Sequence, residues 1–166
     1  MAALTRLRQI CVSPSLFLEN AGDSVKFDYL MNSLDELLPS GHKALVFSSF
    51  TKALEIVSGK LKEKGIKHGF LYGASSSEER IAMAKEFNEN PEDSVMLVSL
   101  KAGGTGLNLI GADTVFLLDP WWNLSAEEQA FARAHRIGQN KNVSIFRLVC
   151  EQTVEEKVLA LQKKKK

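Results

Sequence analysis

Long apolar runs are absent from this chain of 166 residues. No stretch approaches the ~20 apolar residues that a membrane-spanning helix needs, and no apolar segment typical of a secretory signal follows Met1. We therefore expect no membrane partner.

Cysteine is also scarce, since Cys11 and Cys150 are the only two in the sequence. Two cysteines so far apart form neither a disulfide framework nor a metal-binding motif. The three histidines, His42, His68 and His135, have no metal-ligand spacing either. We predict no metal site and an intracellular, reducing compartment.

A charge excess of one sign is lacking as well. Lysine and arginine total 21 against 20 aspartate and glutamate, for a net charge of +1, which excludes a strongly basic binder of polyanions. Part of the positive charge is a lysine run at 163–166, to which we assign no function. With 45% hydrophobic and 25% charged residues, the composition indicates one globular domain with a core of its own.

Five short apolar runs alternate with helical patterns along the chain. Continuous apolar runs of this length predict strands buried on both faces of a parallel sheet. The runs are Ala44–Phe47, His68–Tyr72, Val95–Val98, Thr114–Leu118 and Val143–Val149. Strand–helix–strand repetition predicts right-handed crossovers and helices on both faces of the sheet.

The helices have readable ends. Ser76 with Glu79, Ser125 with Glu128 and Thr153 with Glu156 have capping-box spacing, and Gly65 and Gly138 stand where helices would end. Two more helical patterns, Ala3–Cys11 and Ser24–Leu38, precede the first strand. The sequence predicts a single α/β domain.

Polar and small residues gather after the predicted strands, where parallel sheets bind their ligands. The segments are Ser48–Thr51, Tyr72–Ser75, Ser99–Asn108 and Asp119–Asn123. The third segment is rich in glycine, but it is neither a Walker A loop nor a dinucleotide fingerprint. Its glycines either relieve a tight strand-to-helix turn or let the backbone approach a phosphate or sugar.

The predicted helix from Ser125 to Gly138 carries Gln129, Arg133 and Arg136. At about 100° per residue these three fall within an arc of roughly 60° and point one way. The arginines form either a solvated basic face or a pair of forked cations aimed at a polyphosphate.

Trp121 and Trp122 are the only tryptophans. We expect one of them to be packed and the other, at most, to contact a nucleic acid.

These stretches together resemble the C-terminal lobe of the Swi/Snf-type helicase-like ATPases of helicase superfamily 2. The likeness spans nearly the whole chain. Three matching stretches come first along the chain: Leu7–Cys11, Lys43–Phe50 (KALVFSSF), and Tyr72-Gly73 with Arg80 and Phe87-Asn88. Further on, Ser99–Leu109 (SLKAGGTGLNL) is similar to motif V. Asp119–Gln139 contains a tryptophan-containing block and the string RAHRIGQ, which is similar to motif VI.

The resemblance implies a RecA-like fold, with a mostly parallel sheet and helices on both faces, for residues 41–166. Residues 1–40 would be a helical lead-in segment that packs on this lobe. The implied partners are an N-terminal RecA-like lobe of the same protein, ATP with Mg bound mainly by that first lobe, and double-stranded DNA across both lobes.

Site residues follow by position in the matching motifs. Arg133 and Arg136 would be arginine fingers that reach the β- and γ-phosphates, with Gln129 ordering that contact. The nucleotide-binding residues would be Gly104, Gly106 and Asn108. The residues facing the DNA backbone would be Ser48, Ser49, Lys101 and Trp122.

The sequence departs from the family pattern at Leu124, where proline is common, and at Val12-Ser13-Pro14, where Asn-His-Pro is usual. Walker A and the acidic Walker B motif are missing. We therefore expect the second motor lobe of an ATP-dependent double-stranded-DNA translocase of the chromatin-remodelling type, monomeric and inactive by itself. The alternatives are a non-catalytic Rossmann-like nucleotide-binding module and a protein-interaction domain.

The segment from Asn20 to Gly41 is too short for a large inserted domain. This favours a bacterial or archaeal source, and thus the cytoplasm or nucleoid, slightly over a eukaryotic nucleus.

Overall fold

A parallel sheet of five strands forms the centre of the molecule. The computed structural model describes residues 2–16, 24–100, 107–121, 123–135 and 139–164. The strands are β1 (Ala44–Ser48), β2 (His68–Leu71), β3 (Val95–Ser99), β4 (Thr114–Leu117) and β5 (Ser144–Arg147). Their order is β2-β3-β1-β4-β5, and every neighbouring pair is parallel. All five strands lie within a residue of the predicted runs or inside them.

Helices connect and cover these strands. They are α1 (Ala2–Val12), α2 (Val25–Leu37), α3 (Thr51–Glu63), α4 (Ser77–Glu89), α5 (Leu124–Phe131) and α6 (Val154–Lys164), with short 3-10 helices at Pro14–Leu16 and Leu38–Ser40. Among the described residues, none of the helices has the length and apolar character to cross a membrane.

The core lies in two layers, one on each face of the sheet. Successive side chains of a strand point to opposite faces, so Val46 packs on one side and Phe47 on the other. One layer includes residues of α2 and α3, and the other includes residues of α4 and α5. The expectation of helices on both faces is confirmed.

The fifth strand differs from the prediction. Val143–Val149 was expected to be buried, but all four residues of β5 are exposed, including Ile145 at 42%. β5 lies at the edge of the sheet and pairs with β4 alone, and it is more exposed than the other edge strand, β2, whose Leu71 is buried. An apolar run predicts a strand, but it does not predict how many neighbours the strand has.

Of the three predicted capping boxes, one is confirmed and two differ from the prediction. Ser76 and Glu79 form a reciprocal capping box, with bonds of 2.9 and 3.2 Å. The α5 helix begins earlier than predicted, because Asn123 is its N-cap and accepts a bond from the amide of Ser125 at 3.0 Å. Thr153 accepts from the amide of Glu155, one residue before the expected partner.

The segment before β1 shares the core of the sheet. Val12 of α1 and Phe27, Leu30 and Leu34 of α2 are buried in the same layer as α3. Gly65 ends the turn after α3 with a φ of +68°, as its position predicted.

Candidate functional site at the carboxyl ends of the strands

Asp119 organises the edge where β1 and β4 end. It is fully buried, and its carboxylate accepts bonds from the Ser48 hydroxyl at 2.6 Å and from the Ser49 amide at 3.1 Å. The side chain of Ser48 is itself fully buried, whereas Ser49 is partly exposed. Ser49 is therefore the member of this predicted DNA-binding pair that lies at the surface.

Arg8 of α1 reaches the same edge. Its Nη2 lies 3.3 Å from Asp119 Oδ2, 3.4 Å from Ser49 Oγ and 3.2 Å from the Pro120 carbonyl oxygen. Its guanidinium also lies 5.4 Å from the centre of the Phe50 ring. Sequence reasoning missed both Arg8 and Asp119, and the one available signal was an acidic residue placed directly after a strand.

Trp121 belongs to the core. It is 2% exposed and packs edge-on against Phe47 with 6.2 Å between ring centres. Its amide donates to Glu127 Oε1 at 2.8 Å, and its carbonyl oxygen accepts from the Gln162 side chain. Trp121 is thus the packed member of the pair, and its backbone is held from both α5 and α6.

Glu127 is a second buried carboxylate at this edge, with no exposed surface. Besides Trp121, it accepts a bond from Gln162 Nε2 at 2.8 Å and pairs with Arg147 Nη2 at 3.2 Å. It therefore connects α5 with α6 and with the edge strand β5.

The segment that contains Gln129 and Arg133 is not one continuous helix. The α5 helix ends at Phe131, Gln129 is exposed on its last turn, and Arg133 lies in a following turn with 4% exposure. The prediction that the residues share one helical face is wrong for this pair.

The backbone bonds show where the helix ends. The amide of Ala132 donates to the Glu128 carbonyl, four residues back, whereas the amide of Arg133 donates to the Ala130 carbonyl, three residues back. The carbonyl of Arg133 accepts the amide of Leu109 at 3.0 Å, and that of Ala134 accepts Gln139 Nε2 at 3.0 Å.

These bonds join Arg133 to the end of the glycine-rich segment. Asn108 immediately precedes Leu109, its side chain is exposed, and its carbonyl accepts Asn88 Nδ2 at 2.9 Å. Gln139 donates further bonds of 2.8 Å to the carbonyls of Ile110 and Ala112. The stretches similar to motifs V and VI are therefore held together as one hydrogen-bonded unit.

Five of the predicted site residues lie outside the described residues. They are Lys101, Gly104, Gly106, Trp122 and Arg136.

The carboxylate oxygens of Asp119 are not available to coordinate a magnesium ion. Its oxygens already accept from Ser48, Ser49 and Arg8, so a hard cation would have to displace an arginine from a buried site.

A parallel sheet of this order, with its polar loops at one edge, defines a RecA-like lobe. The solved C-terminal part of the Fun30 ATPase domain has a TM-score of 0.80 and 32% identity to this chain, covering 95% of it and 53% of the Fun30 chain. Residues 25–138 match the helicase conserved C-terminal domain.

Curated relatives agree with this match. DNA repair protein RAD5B of Arabidopsis thaliana is 39% identical over 161 residues, covering 93% of this chain and 13% of that protein. An uncharacterized ATP-dependent helicase of Mycoplasma pneumoniae is 33% identical over 165 residues, covering 99% of this chain and 16% of that protein.

The chain belongs to the helicase C-terminal domain family and is the C-terminal lobe of a Swi/Snf-type helicase-like ATPase. It spans about one seventh of the length of these relatives. One of these relatives comes from a plant and the other from a bacterium, so they do not support the preference for a bacterial or archaeal source.

Proposed function

We propose that this chain is the second motor lobe of an ATP-dependent double-stranded-DNA translocase of the chromatin-remodelling type. The observation that carries this proposal is the hydrogen-bonded unit of Asn108, Leu109 and Arg133 at the carboxyl edge of a RecA-like sheet. It supports the proposal because Asn108, assigned to the nucleotide, directly precedes Leu109, whose amide bonds the carbonyl of Arg133, assigned to the phosphates.

In this proposal ATP, with magnesium, binds mainly to an N-terminal RecA-like lobe and supplies the phosphoryl group that is hydrolysed. This chain contributes cations. The planar guanidinium groups of Arg133 and Arg136 stabilise the negative charge on the phosphate oxygens, and Gln129 orders that contact. Asn108 presents an exposed side chain on the nucleotide side of the unit.

DNA contact is proposed for Ser49, Lys101 and Trp122 at the same edge. Contacts of this kind address the phosphate backbone and carry no sequence information, as a translocase requires. Buried Asp119, held by Arg8 and Ser48, supports the loop that carries the partly exposed Ser49.

The surroundings of Arg133 limit the choice of substitution. Arg133 is buried within the lobe, so its side chain contributes to packing as well as to catalysis. A useful substitution at this position must keep the charge and the aliphatic stem while removing the fork. Lysine satisfies both requirements.

We therefore expect Arg133→Lys and Arg136→Lys, made in the full-length protein, each to lower DNA-stimulated ATP turnover at least ~100-fold. Binding to a duplex oligonucleotide should change less than about threefold. Turnover is followed by phosphate release and DNA binding by fluorescence anisotropy.

The matched control is Lys85→Arg, because Lys85 is an exposed cation on α4 away from the site. It should leave both activities unchanged. If the two arginine variants keep full turnover, the proposed roles are wrong. If they lose DNA binding in proportion and melt at a lower temperature, the arginines are structural and the proposal fails for them.

A further inference from the structure

Cys11 and Cys150 lie side by side although 139 positions separate them in the sequence. The Cys150 Sγ donates to the carbonyl oxygen of Cys11 at 3.3 Å, and both Sγ atoms lie within 4.8 Å of each other and of a Glu155 carboxylate oxygen. Both cysteines are partly exposed. This proximity could not be predicted from the sequence, because it depends on where α1 packs.

The backbone around both thiols is fixed. The amide of Cys150 donates to Glu155 Oε1 at 2.9 Å, and its carbonyl accepts the Thr153 hydroxyl at 2.6 Å. Cys11 lies in the last turn of α1. Rotation about the two Cα–Cβ bonds is the movement by which the sulfur atoms would approach each other.

A metal ion does not suit this cluster. Both carboxylate oxygens of Glu155 are taken by the buried ammonium group of Lys26, at 2.6 and 2.7 Å. A cation beside the thiols would be repelled by Lys26 and would lack its third ligand. The cluster therefore favours a reaction of the two thiols with each other, which adds no positive charge, over metal binding.

We propose that Cys11 and Cys150 form a reversible disulfide when the protein meets a hydroperoxide. Oxidant has access, because Cys11 lines an apolar groove of about 730 Å³ between α1 and α6, together with Leu7, Gln152 and Thr153. This inference does not depend on the proposed motor function.

The step balances with hydrogen peroxide as the oxidant. The Cys11 thiolate attacks one peroxide oxygen, the O–O bond breaks, and the departing hydroxide takes a proton to give water and a sulfenic acid. The Cys150 sulfur then attacks the Cys11 sulfur, forming S–S and breaking S–O. The second hydroxide leaves with the Cys150 thiol proton as water.

Cys11 is assigned the first step because burial, chiefly, raises the pKa of the Cys150 thiol to about 11. A thiol with that pKa is almost entirely protonated at neutral pH and reacts slowly with peroxide. Cys150 is thus suited to the second, intramolecular step, where proximity compensates for its low thiolate fraction.

The disulfide would hold α1 against the lobe. Arg8 lies one turn before Cys11 on α1 and bonds to Asp119 at the strand edge. Oxidation would therefore secure the helix that supports this edge.

The experiment treats the purified 166-residue chain with equimolar hydrogen peroxide and follows intact mass and tryptic peptides. We expect a mass loss of two hydrogens and a linked pair of peptides, 9–26 with 148–157, that dithiothreitol separates. Because the sequence has no other cysteine, only one intramolecular disulfide is possible. The oxidised chain should melt at a higher temperature than the reduced chain.

Cys150→Ser and Cys11→Ser separate the two roles. With dimedone present, Cys150→Ser should accumulate a Cys11 adduct, whereas Cys11→Ser should be labelled at least ~10-fold more slowly. The proposal is overturned if the wild-type chain accumulates stable dimedone adduct without linked peptides. It is equally overturned if linkage occurs only between chains or only after the protein is unfolded.

Discussion

Asp113 shows how one side chain joins two strands. It precedes β4, and its carboxylate accepts bonds from His42 Nδ1 at 2.7 Å, from the Lys43 amide at 3.1 Å and from the Thr114 hydroxyl at 3.1 Å. Burial by itself would raise the pKa of this carboxyl, but the bonds from His42, Lys43 and Thr114 outweigh it and the pKa is lowered.

A lowered pKa in the folded state stabilises the protein fully above the unfolded value of about 3.9, and this contribution is lost as the pH falls through the folded value. We expect Asp113→Asn to lower the free energy of unfolding by ~1–3 kcal/mol at pH 7. Below pH 4 the free energy of unfolding should fall less steeply for this variant than for the wild type. Urea unfolding across this pH range measures both effects.

Asp35→Asn is the matched control for Asp113, because Asp35 makes an exposed ion pair with Lys64. Its loss should change the free energy of unfolding by less than ~1 kcal/mol. Equal effects of the two substitutions would contradict the account of Asp113.

At the scale of an element, α5 shows how local signals mislead. Ser125 and Glu128 have the spacing of a capping box, yet the helix starts one residue before Ser125 with Asn123 as its cap. The Asn123 side-chain oxygen accepts a bond from the Ser125 amide, so Ser125 lies inside the helix and is not its N-cap.

We expect Asn123→Ala to destabilise the protein by about 1 kcal/mol, because an N-cap acceptor is lost. Ser125→Ala, inside the helix, should cost less than ~0.5 kcal/mol. Thermal or urea unfolding of the two variants measures the difference. If Ser125→Ala destabilised the protein more than Asn123→Ala, Ser125 would be the N-cap and this assignment would be wrong.

The sequence also could not predict where α5 ends. Ala130, Arg133 and Ala134 continue a helical pattern, and nothing in their spacing announces a stop. The turn that follows the helix is held by Leu109 and Gln139, which donate to the carbonyls of Arg133 and Ala134 from elsewhere in the chain.

At the scale of the whole molecule, the chain is one lobe of a larger arrangement in our proposal. We expect the purified 166 residues to hydrolyse no ATP, with or without duplex DNA, because the phosphate-binding loop and magnesium ligands would lie on the first lobe. Phosphate release measures turnover, and isothermal titration with ATP, NAD and a duplex oligonucleotide measures binding.

DNA-stimulated turnover by the isolated chain would contradict this expectation. Tight stoichiometric binding of ATP or NAD would instead support a non-catalytic nucleotide-binding module. The catalytically competent form of the full-length protein serves as the positive control.

The sequence by itself determined the five strands, the parallel α/β class and the family, because these depend on local apolar runs and short contiguous motifs. It placed Asn108 in a segment after a strand and Arg133 on the helix after the next strand, and the structure joins these two stretches through Leu109.

Only the tertiary structure decided the exposure of β5, the end of α5 and the contacts of Arg8 with Asp119 and of Cys11 with Cys150. Those contacts join residues 111 and 139 positions apart. The physical reason is the same in each case. Hydrogen bonds and burial depend on the groups that pack nearby in space. A local sequence pattern does not identify these groups when they are distant along the chain.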